Sequence, residues 1–270
     1  MLVERLNGEI IDLNKAGIYT LRFIPEAPEP VTTTAEIPGV DGHIDLGTKY
    51  RGRLITVDIG IQAGDWYEFA LLRNEIFRIF DSKEPFHLID EVEPNKKWIN
   101  CKYVSPFSIA RRAKVQSEFT IQFRSTSAYS RSRGSLLDPF TFESELWQFG
   151  MNIPLEDFSY VHNTRTFSIW NLGDKEVNPR HDMLQIFYRG ASNNLRITNT
   201  TTGDTWQYFG TSQHGDTITL DGVFSRKNGV SIFGQTNRKL IRLAPGKNIF
   251  VLSGAIDPFE ISFDFQFLYL

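Results

Sequence analysis

Residues 53–62 read RLITVDIGIQ, and apolar side chains occupy every second position of this segment. The alternating apolar positions are Ile55, Val57, Ile59 and Ile61. Since successive side chains of a β-strand point to opposite faces, this period predicts a half-buried strand. Asp58 then falls on the polar face of the same strand.

Further segments of the first half have the same character. Residues 114–123, KVQSEFTIQF, alternate in the same way. The earlier segments YTLRFIP and VTTTAEI are rich in β-branched and aromatic residues, which favours strands as well. The first half is therefore expected to be mainly β.

One segment has helical rather than strand spacing, namely DWYEFALLRNEIFRIFD from Asp65. Asp65 is a good helix N-cap, and Glu68 stands three residues later as in a capping box. The apolar stripe expected to face the core consists of Trp66, Phe69, Leu72, Ile76 and Phe80.

Apolar periodicity is lost between Ser125 and Asp138, where the sequence reads STSAYSRSRGSLLD. This polar, Gly/Ser-containing stretch is typical of a linker. The sequence therefore predicts two domains, 1–134 and 135–270.

The second half alternates short strand patterns with turn signals such as TGD, HGD, DG and PG. Many short strands at this spacing favour an antiparallel β-sandwich. The last strand, EISFDFQFLYL, is expected in the core of the second domain, although it could reach back to the first. Its apolar face consists of Ile261, Phe263, Phe265 and Phe267.

Composition narrows the function classes. The formal net charge of −3 gives no reason to expect a nucleic-acid binder. The N-terminus lacks the apolar run of a signal peptide, and no stretch approaches the 18 apolar residues of a membrane span, so cytoplasmic synthesis is expected. Cys101, the single cysteine, is interpreted as a small buried residue.

Patterns that carry catalysis or metal binding are absent or weak in this sequence. It contains no Gly-rich phosphate loop, no GxSxG and no HExxH. Ser212, His214 and Asp216 lie together in TSQHGD, which favours a turn rather than a catalytic triad. Asp41 and Asp45 faintly resemble a calcium loop, but Gly52 stands where the bidentate Glu is required. We expect no catalysis, no metal and no cofactor.

Trp206 and Tyr208 lie two residues apart in TWQYF and would share one face of a strand. If exposed, they would form a platform for stacking on sugar rings. If buried, they belong to the core of the sandwich, which is the favoured interpretation because large aromatics carry much of a core's burial.

The segment EIPGVDGHIDLGTKYRGRLITVDI from Glu36 resembles the N-terminal domain of siphophage distal tail proteins. The second half resembles the same family in IWNLGDKEVNPRHDMLQIFYRG, NLRITNTTTGD, GDTITLDG, RLAPGKNIFVLSG and SFDFQFLYL, in that order. The resemblance covers almost the whole chain.

This resemblance implies a virion structural protein at the tail tip, in a homo-hexameric ring formed by the N-terminal domains. The C-terminal domains would be galectin-like sandwiches that project outward. The partners implied are the tail tube protein, the tail-associated spike protein and, in many phages, receptor-binding proteins. An alternative is that the C-terminal domain grips host-surface sugar through aromatics such as Trp206.

A tail ring must let DNA pass without specific binding, because each cation that neutralises a phosphate adds affinity. We therefore expect a lumen that is acidic or neutral on balance, with Asp41, Asp45 and Asp58 as candidates. Arg51 and Arg53 are expected to pair with carboxylates of the same or a neighbouring chain rather than face the lumen.

Overall fold

A computed structural model describes residues 1–15, 17–39, 41–111, 115–134, 136 and 159–270. The described residues are mainly antiparallel β-structure with a single α-helix, which confirms the predicted fold class. Contacts divide the chain into two compact units, Met1–Arg131 with Leu270 and Ser132–Tyr269.

Unit 1 is built around an antiparallel sheet with the strand order β2-β1-β7-β8-β9-β6-β3. Strand β8 also pairs with β10, and the hairpin β4–β5 forms a separate two-stranded sheet. The strands are β1 (Leu2–Glu4), β2 (Ile10–Asp12), β3 (Ile18–Pro25), β4 (Pro30–Ala35), β5 (Ile44–Tyr50), β6 (Leu54–Gln62), β7 (Phe86–Ile89), β8 (Lys96–Tyr103), β9 (Gln116–Arg124) and β10 (Ser130–Ser132).

The predicted alternation of β6 is confirmed, because its apolar face is completely buried. Strand β9 lies beside it in the register Val57↔Ile121, and both of these side chains belong to the core of unit 1. The polar face of β6 carries Asp58, as its strand position requires.

Helix α1 spans Trp66–Ile79 and begins where the sequence predicts it. The Asp65 carboxylate accepts the Glu68 N–H at 2.8 Å, so the N-cap is confirmed. The Glu68 carboxylate accepts the N–H of Gly64 rather than that of the cap residue. The prediction that Trp66 belongs to the core stripe is wrong: Trp66 is 62 % exposed, whereas Phe69 and Ile76 are buried.

The segment from Ser125 to Gly134 is not the solvated linker that its polarity predicts. Ser125 and Ser132 are fully buried. Their side chains are buried without loss of hydrogen bonding, since the Ser125 hydroxyl donates to the Ile99 carbonyl at 2.7 Å. The remainder of the predicted linker, apart from Leu136, lies outside the described residues.

Unit 2 is an antiparallel sheet with the order β11-β19-β13-β16-β17-β18, in which β12 also pairs with β19 and β14 and β15 pair with β13. The strands of this sheet are β11 (Val161–His162), β12 (Thr166–Asn171), β13 (Leu184–Asn199), β14 (Asp204–Gln207), β15 (Thr211–Ser212), β16 (Thr217–Asp221), β17 (Phe224–Lys227), β18 (Val230–Ser231) and β19 (Gly246–Phe265). The short strand β20 (Leu268–Tyr269) also lies within the residue range of unit 2 but is not part of this sheet.

The long strands β13 and β19 of unit 2 pair with each other from Leu184↔Phe265 to Asn199↔Phe250. Their register shifts between Gly190 and Arg196, and the buried positions of both strands change parity across that shift. A bulge has this effect because one extra residue exchanges the two faces of a strand. Gly254 permits it: its φ is +79°, and a Cβ there would meet the Asn193 carbonyl oxygen at 2.4 Å.

The prediction for the last strand is confirmed. Its apolar face is fully buried and belongs to the core cluster of unit 2, with Phe250 and Tyr188 among the other large members. The likeness of unit 2 to galectins stays a prediction.

Candidate assembly surface

The hairpin β4–β5 pairs with no other strand among the described residues. The two strands run antiparallel from Pro30↔Tyr50 to Ala35↔Ile44. Local chemistry explains why the chain folds back here. The hydroxyls of Thr32 and Thr48 lie 2.8 Å apart across the strands, and the Asp45 carboxylate accepts the Gly47 N–H at 2.7 Å.

The hairpin leaves apolar side chains in solvent. Leu46 is 62 % exposed, and every residue of β5 is exposed. The other large exposed apolar residues of the hairpin are Ile37, Ile44 and Tyr50. A two-stranded hairpin is marginally stable alone in water, so these side chains are suited to burial against another surface.

Two of the candidate carboxylates lie on this hairpin. Asp41 is exposed in the turn between the strands, and Asp45 is exposed on β5. Arg51 lies at the base of the hairpin, where its guanidinium pairs with the Glu29 carboxylate at 2.8 Å. The predicted pairing of Arg51 with a carboxylate is therefore confirmed within the chain, although exposure of both groups makes the pair weak.

Arg53 pairs with no carboxylate among the described residues, so the expected pairing within the chain is not found there. The side chain is 5 % exposed, donates to the Glu26 backbone carbonyl at 2.8 Å and stacks over the Trp98 ring, 5.2 Å from its centroid. Burial lowers the pKa of Arg53 from its usual value, which the negative potential of Tyr129 partly offsets. Arg53 is therefore a buried side chain within unit 1. The sequence did not indicate its burial, because arginine is rarely buried.

Gly52 lies in the sequence RGR (51–53), just before β6, where two backbone segments approach closely. A Cβ on this residue would lie 2.0 Å from the Ser125 carbonyl oxygen. Arg53 N–H also donates to the Ser127 carbonyl, and Ser125 N–H donates to the Arg53 carbonyl. The motif therefore fixes two backbones against each other at the foot of the hairpin.

Asp58 is held by its neighbours on the sheet. Its carboxylate accepts from the Thr120 hydroxyl at 2.5 Å and from the Arg22 Nε at 2.6 Å. The hydrogen bond from Thr120 and the charge of Arg22 lower the pKa of Asp58 against the opposing effect of burial. Because a cation sits beside it, Asp58 contributes little net negative charge to any lumen.

Trp206 and Tyr208 are only 2 % and 3 % exposed, so the sugar-stacking platform is not formed. The Trp206 Nε1 donates to the buried Ser225 hydroxyl at 3.2 Å. Both residues belong to the core of unit 2, as the favoured interpretation has it.

Three asparagines that the sequence reasoning missed hold the turns of unit 2. The Asn199 amide donates to the Arg242 carbonyl at 2.8 Å and to the Asn248 Oδ1 at 3.0 Å. Asn171 donates to the Leu243 carbonyl at 3.2 Å and accepts the N–H of Gly173. All three are buried. Their signal in the sequence was an asparagine beside each Gly-containing turn.

The weak catalytic candidates are structural. Ser212 is buried and donates to the Gly190 carbonyl at 2.8 Å, while the Asp216 carboxylate accepts the N–H of Gln213 in the predicted turn. Cys101 is fully buried, and burial raises the pKa of its thiol to about 12. Among the described residues, no group of three or more His, Cys, Asp or Glu could hold a metal ion. Nor is any described helix long and apolar enough to cross a membrane.

The sequence model of the phage tail protein RIFT-related domain family matches residues 7–125. Because these residues resemble that domain, we refer to residues 7–125 as the tail domain. This match comprises most of unit 1 and includes the hairpin, Gly52 and Arg53. No curated protein is significantly similar in sequence.

Solved structures extend the similarity beyond the tail domain. The crystal structure of the Dit protein (gp 19.1) of phage SPP1, described as a paradigm of the hub adsorption apparatus in Gram-positive infecting phages, matches with a TM-score of 0.69. The match covers 98 % of both chains at 12 % identity. At this identity the likeness concerns the fold, and together with the family match it confirms the resemblance to siphophage distal tail proteins.

Structures of the phage p2 baseplate in its activated conformation, with Sr and with Ca, match less closely. Their TM-scores are 0.46 and 0.45 at 8 % identity, and each match covers 98 % of this chain and 96 % of the other.

Proposed function

We propose that this chain is the structural hub of a siphophage tail tip. In this role the N-terminal domain, residues 1–134, forms a homo-hexameric ring, and the C-terminal domain, residues 135–270, carries or supports receptor-binding proteins. The ring joins the tail tube protein to the tail-associated spike protein. The tail domain over residues 7–125 and the fold shared with SPP1 Dit support this role.

One observation carries the proposal, namely the hairpin β4–β5 with its exposed apolar side chains. Leu46 and Ile44 are exposed on a hairpin that pairs with no other strand among the described residues. Closed rings arise when one surface of each copy binds a different surface of the next copy. A hairpin with exposed apolar side chains is suited to such a head-to-tail contact, because those side chains are not used by its own core.

Unit 2 supports a role in carrying further proteins, such as receptor-binding proteins. It exposes Phe209, Phe224 and Phe233, and Arg226 and Arg238 stack on the last two rings. Exposed aromatic and arginine side chains are typical of protein interfaces. The alternative function, a sugar-binding module, depended on an exposed aromatic platform of Trp206 and Tyr208, and both residues are buried.

DNA would pass through the ring without specific binding, so the lumen is expected to be acidic or neutral on balance. Asp58 is a poor lumen residue because Arg22 neutralises it. A strongly positive lumen in the assembled ring would refute this part of the proposal, even with the ring confirmed.

Native mass spectrometry and electron microscopy of the purified chain, alone and in assembled tails, test the hub. We expect six copies in a closed ring. A trimer or an open filament in assembled tails would contradict the proposal.

A further inference from the structure

Helix α1 presents apolar side chains away from its own core. Tyr67 is 84 % exposed and Leu71 is 68 % exposed. They lie four residues apart, so they share one face of the helix. That face points away from Phe69 and Ile76, which are buried against the sheet. Soluble proteins seldom leave large apolar side chains this exposed on adjacent helical turns unless another surface covers them.

A basic and aromatic pair adjoins this face. The Arg111 guanidinium lies over the Trp66 ring, 3.9 Å from its centroid, and Trp66 is 62 % exposed. The sequence around Arg111 reads ARRAK and contains no carboxylate. Asp65 and Glu68, at the start of the helix, each accept a backbone N–H. Among the described residues Arg111 forms no ion pair, so its charge is available to an incoming partner.

The tip of the hairpin β4–β5 has the complementary character. Residues 36–45, EIPGVDGHID, contain three carboxylates and no lysine or arginine. Asp41 and Asp45 are exposed beside the apolar side chains of Ile44 and Leu46. One surface thus presents carboxylates beside apolar side chains, and another presents an arginine beside aromatic side chains.

We propose that the exposed face of Trp66, Tyr67, Leu71 and Arg111, the helix face, receives the hairpin tip of a second copy of this chain. This inference rests on the proposed ring and names its second surface. A head-to-tail ring needs two different surfaces on each copy, and the hairpin supplies only one of them.

The contact matches apolar groups with apolar groups and opposite charges with each other. Leu46 and Ile44 pack on Tyr67 and Leu71, which removes their side chains from water. The hairpin carboxylates lie near Arg111, and complementary charge favours this orientation over the reverse. This assignment replaces the lumen expectation for Asp41 and Asp45.

Cross-linking between two populations of the full chain tests the contact. One population carries Leu46→Cys and the other Leu71→Cys, and a short bis-maleimide joins thiols that lie close together. The native Cys101 is fully buried and does not compete. The control replaces the second population with Val92→Cys, since Val92 is 79 % exposed in the same unit but lies outside the helix face.

We expect mixed cross-linked dimers from the Leu46→Cys and Leu71→Cys pair, in at least about tenfold excess over the control pair, because assembly raises the local concentration of the two thiols. We also expect Leu71→Asp to weaken self-association at least about tenfold, as Leu46→Asp does, since both lose a buried anchor of the interface. Circular dichroism melts of both variants should match the wild type.

The outcomes separate this inference from the proposed ring. If rings form, but Leu71→Asp leaves them intact and cross-links are no more abundant than in the control, the helix face is not the receiving surface and the hub proposal stands. If the wild-type chain stays monomeric at every concentration and in tails, both proposals are overturned.

Discussion

The hairpin β4–β5 and the pair β13–β19 are both antiparallel two-strand ladders, yet they bury very different parts of themselves. Along β19, alternate side chains such as Phe250 and Phe263 are fully buried. Along β5, no residue is buried. Backbone pairing is common to both, so burial of side chains is what distinguishes them. The pair β13–β19 stabilises its own unit, whereas the hairpin has apolar surface left for a partner.

Truncating one apolar side chain in each strand pair is the strongest test of this difference in burial. Phe263→Ala should lower the free energy of unfolding of unit 2 by about 3–5 kcal/mol, because it leaves a cavity in a closed core. Leu46→Ala should change stability by less than about 0.5 kcal/mol, because the side chain is exposed in the single chain. Chemical denaturation of the dissociated protein measures both. Similar losses in the two variants would contradict the distinction.

Substitution at the base of the hairpin, at Gly52, should lower stability as substitution in the buried pair β13–β19 does. Gly52→Ala places a Cβ on the Ser125 carbonyl oxygen, so the two backbones must separate, at a cost of about 1–3 kcal/mol. Gly215→Ala is the matched control, since a Cβ there meets nothing within 4 Å. Thermal melts of the two variants would be compared. Equal midpoints would show that the close approach at Gly52 is not required.

The asparagine cluster of unit 2 offers a smaller test of buried polar groups. Asn199→Ala removes two donated hydrogen bonds and leaves the Arg242 carbonyl without that partner, so we expect a loss of about 1–3 kcal/mol. Asn193→Ala, at an exposed position of the same strand, should cost less than about 0.5 kcal/mol. An unfolding free energy unchanged by Asn199→Ala would mean that water replaces the amide.

The smallest expected effect concerns pH and unit 1. Burial, and next the charge of Lys97, lower the pKa of His87, whose Nδ1 accepts the Asn100 N–H at 3.1 Å. Because the folded pKa lies below the unfolded value of about 6.5, this contribution to stability is present above that pH and is lost as the pH falls below it. Urea midpoints at neutral and mildly acidic pH should therefore diverge less in His87→Gln than in the wild type. Parallel pH dependence would exclude His87 as the cause.

Strand faces were predictable from the sequence because burial of one face imposes a period of two, as at Ile55 and Val57. The N-cap at Asp65 was predictable because its chemistry is local. The exposure of Trp66 and the burial of Arg53 were not predictable, since both depend on which segment packs against these residues in the fold. The aromatic pair Trp206 and Tyr208 could be core or platform for the same reason, and only the packing of unit 2 decides between them.

Hydrogen exchange of the full chain, measured below and above the concentration at which it assembles, tests the central claim most directly. Amides of β4 and β5 should exchange rapidly in the single chain and slow markedly on assembly, whereas those of β13 and β19 should be protected at both concentrations. Hairpin amides that exchange equally fast in both states, or that are already as protected as β19 in the single chain, would contradict the assignment of the hairpin β4–β5 as an assembly surface.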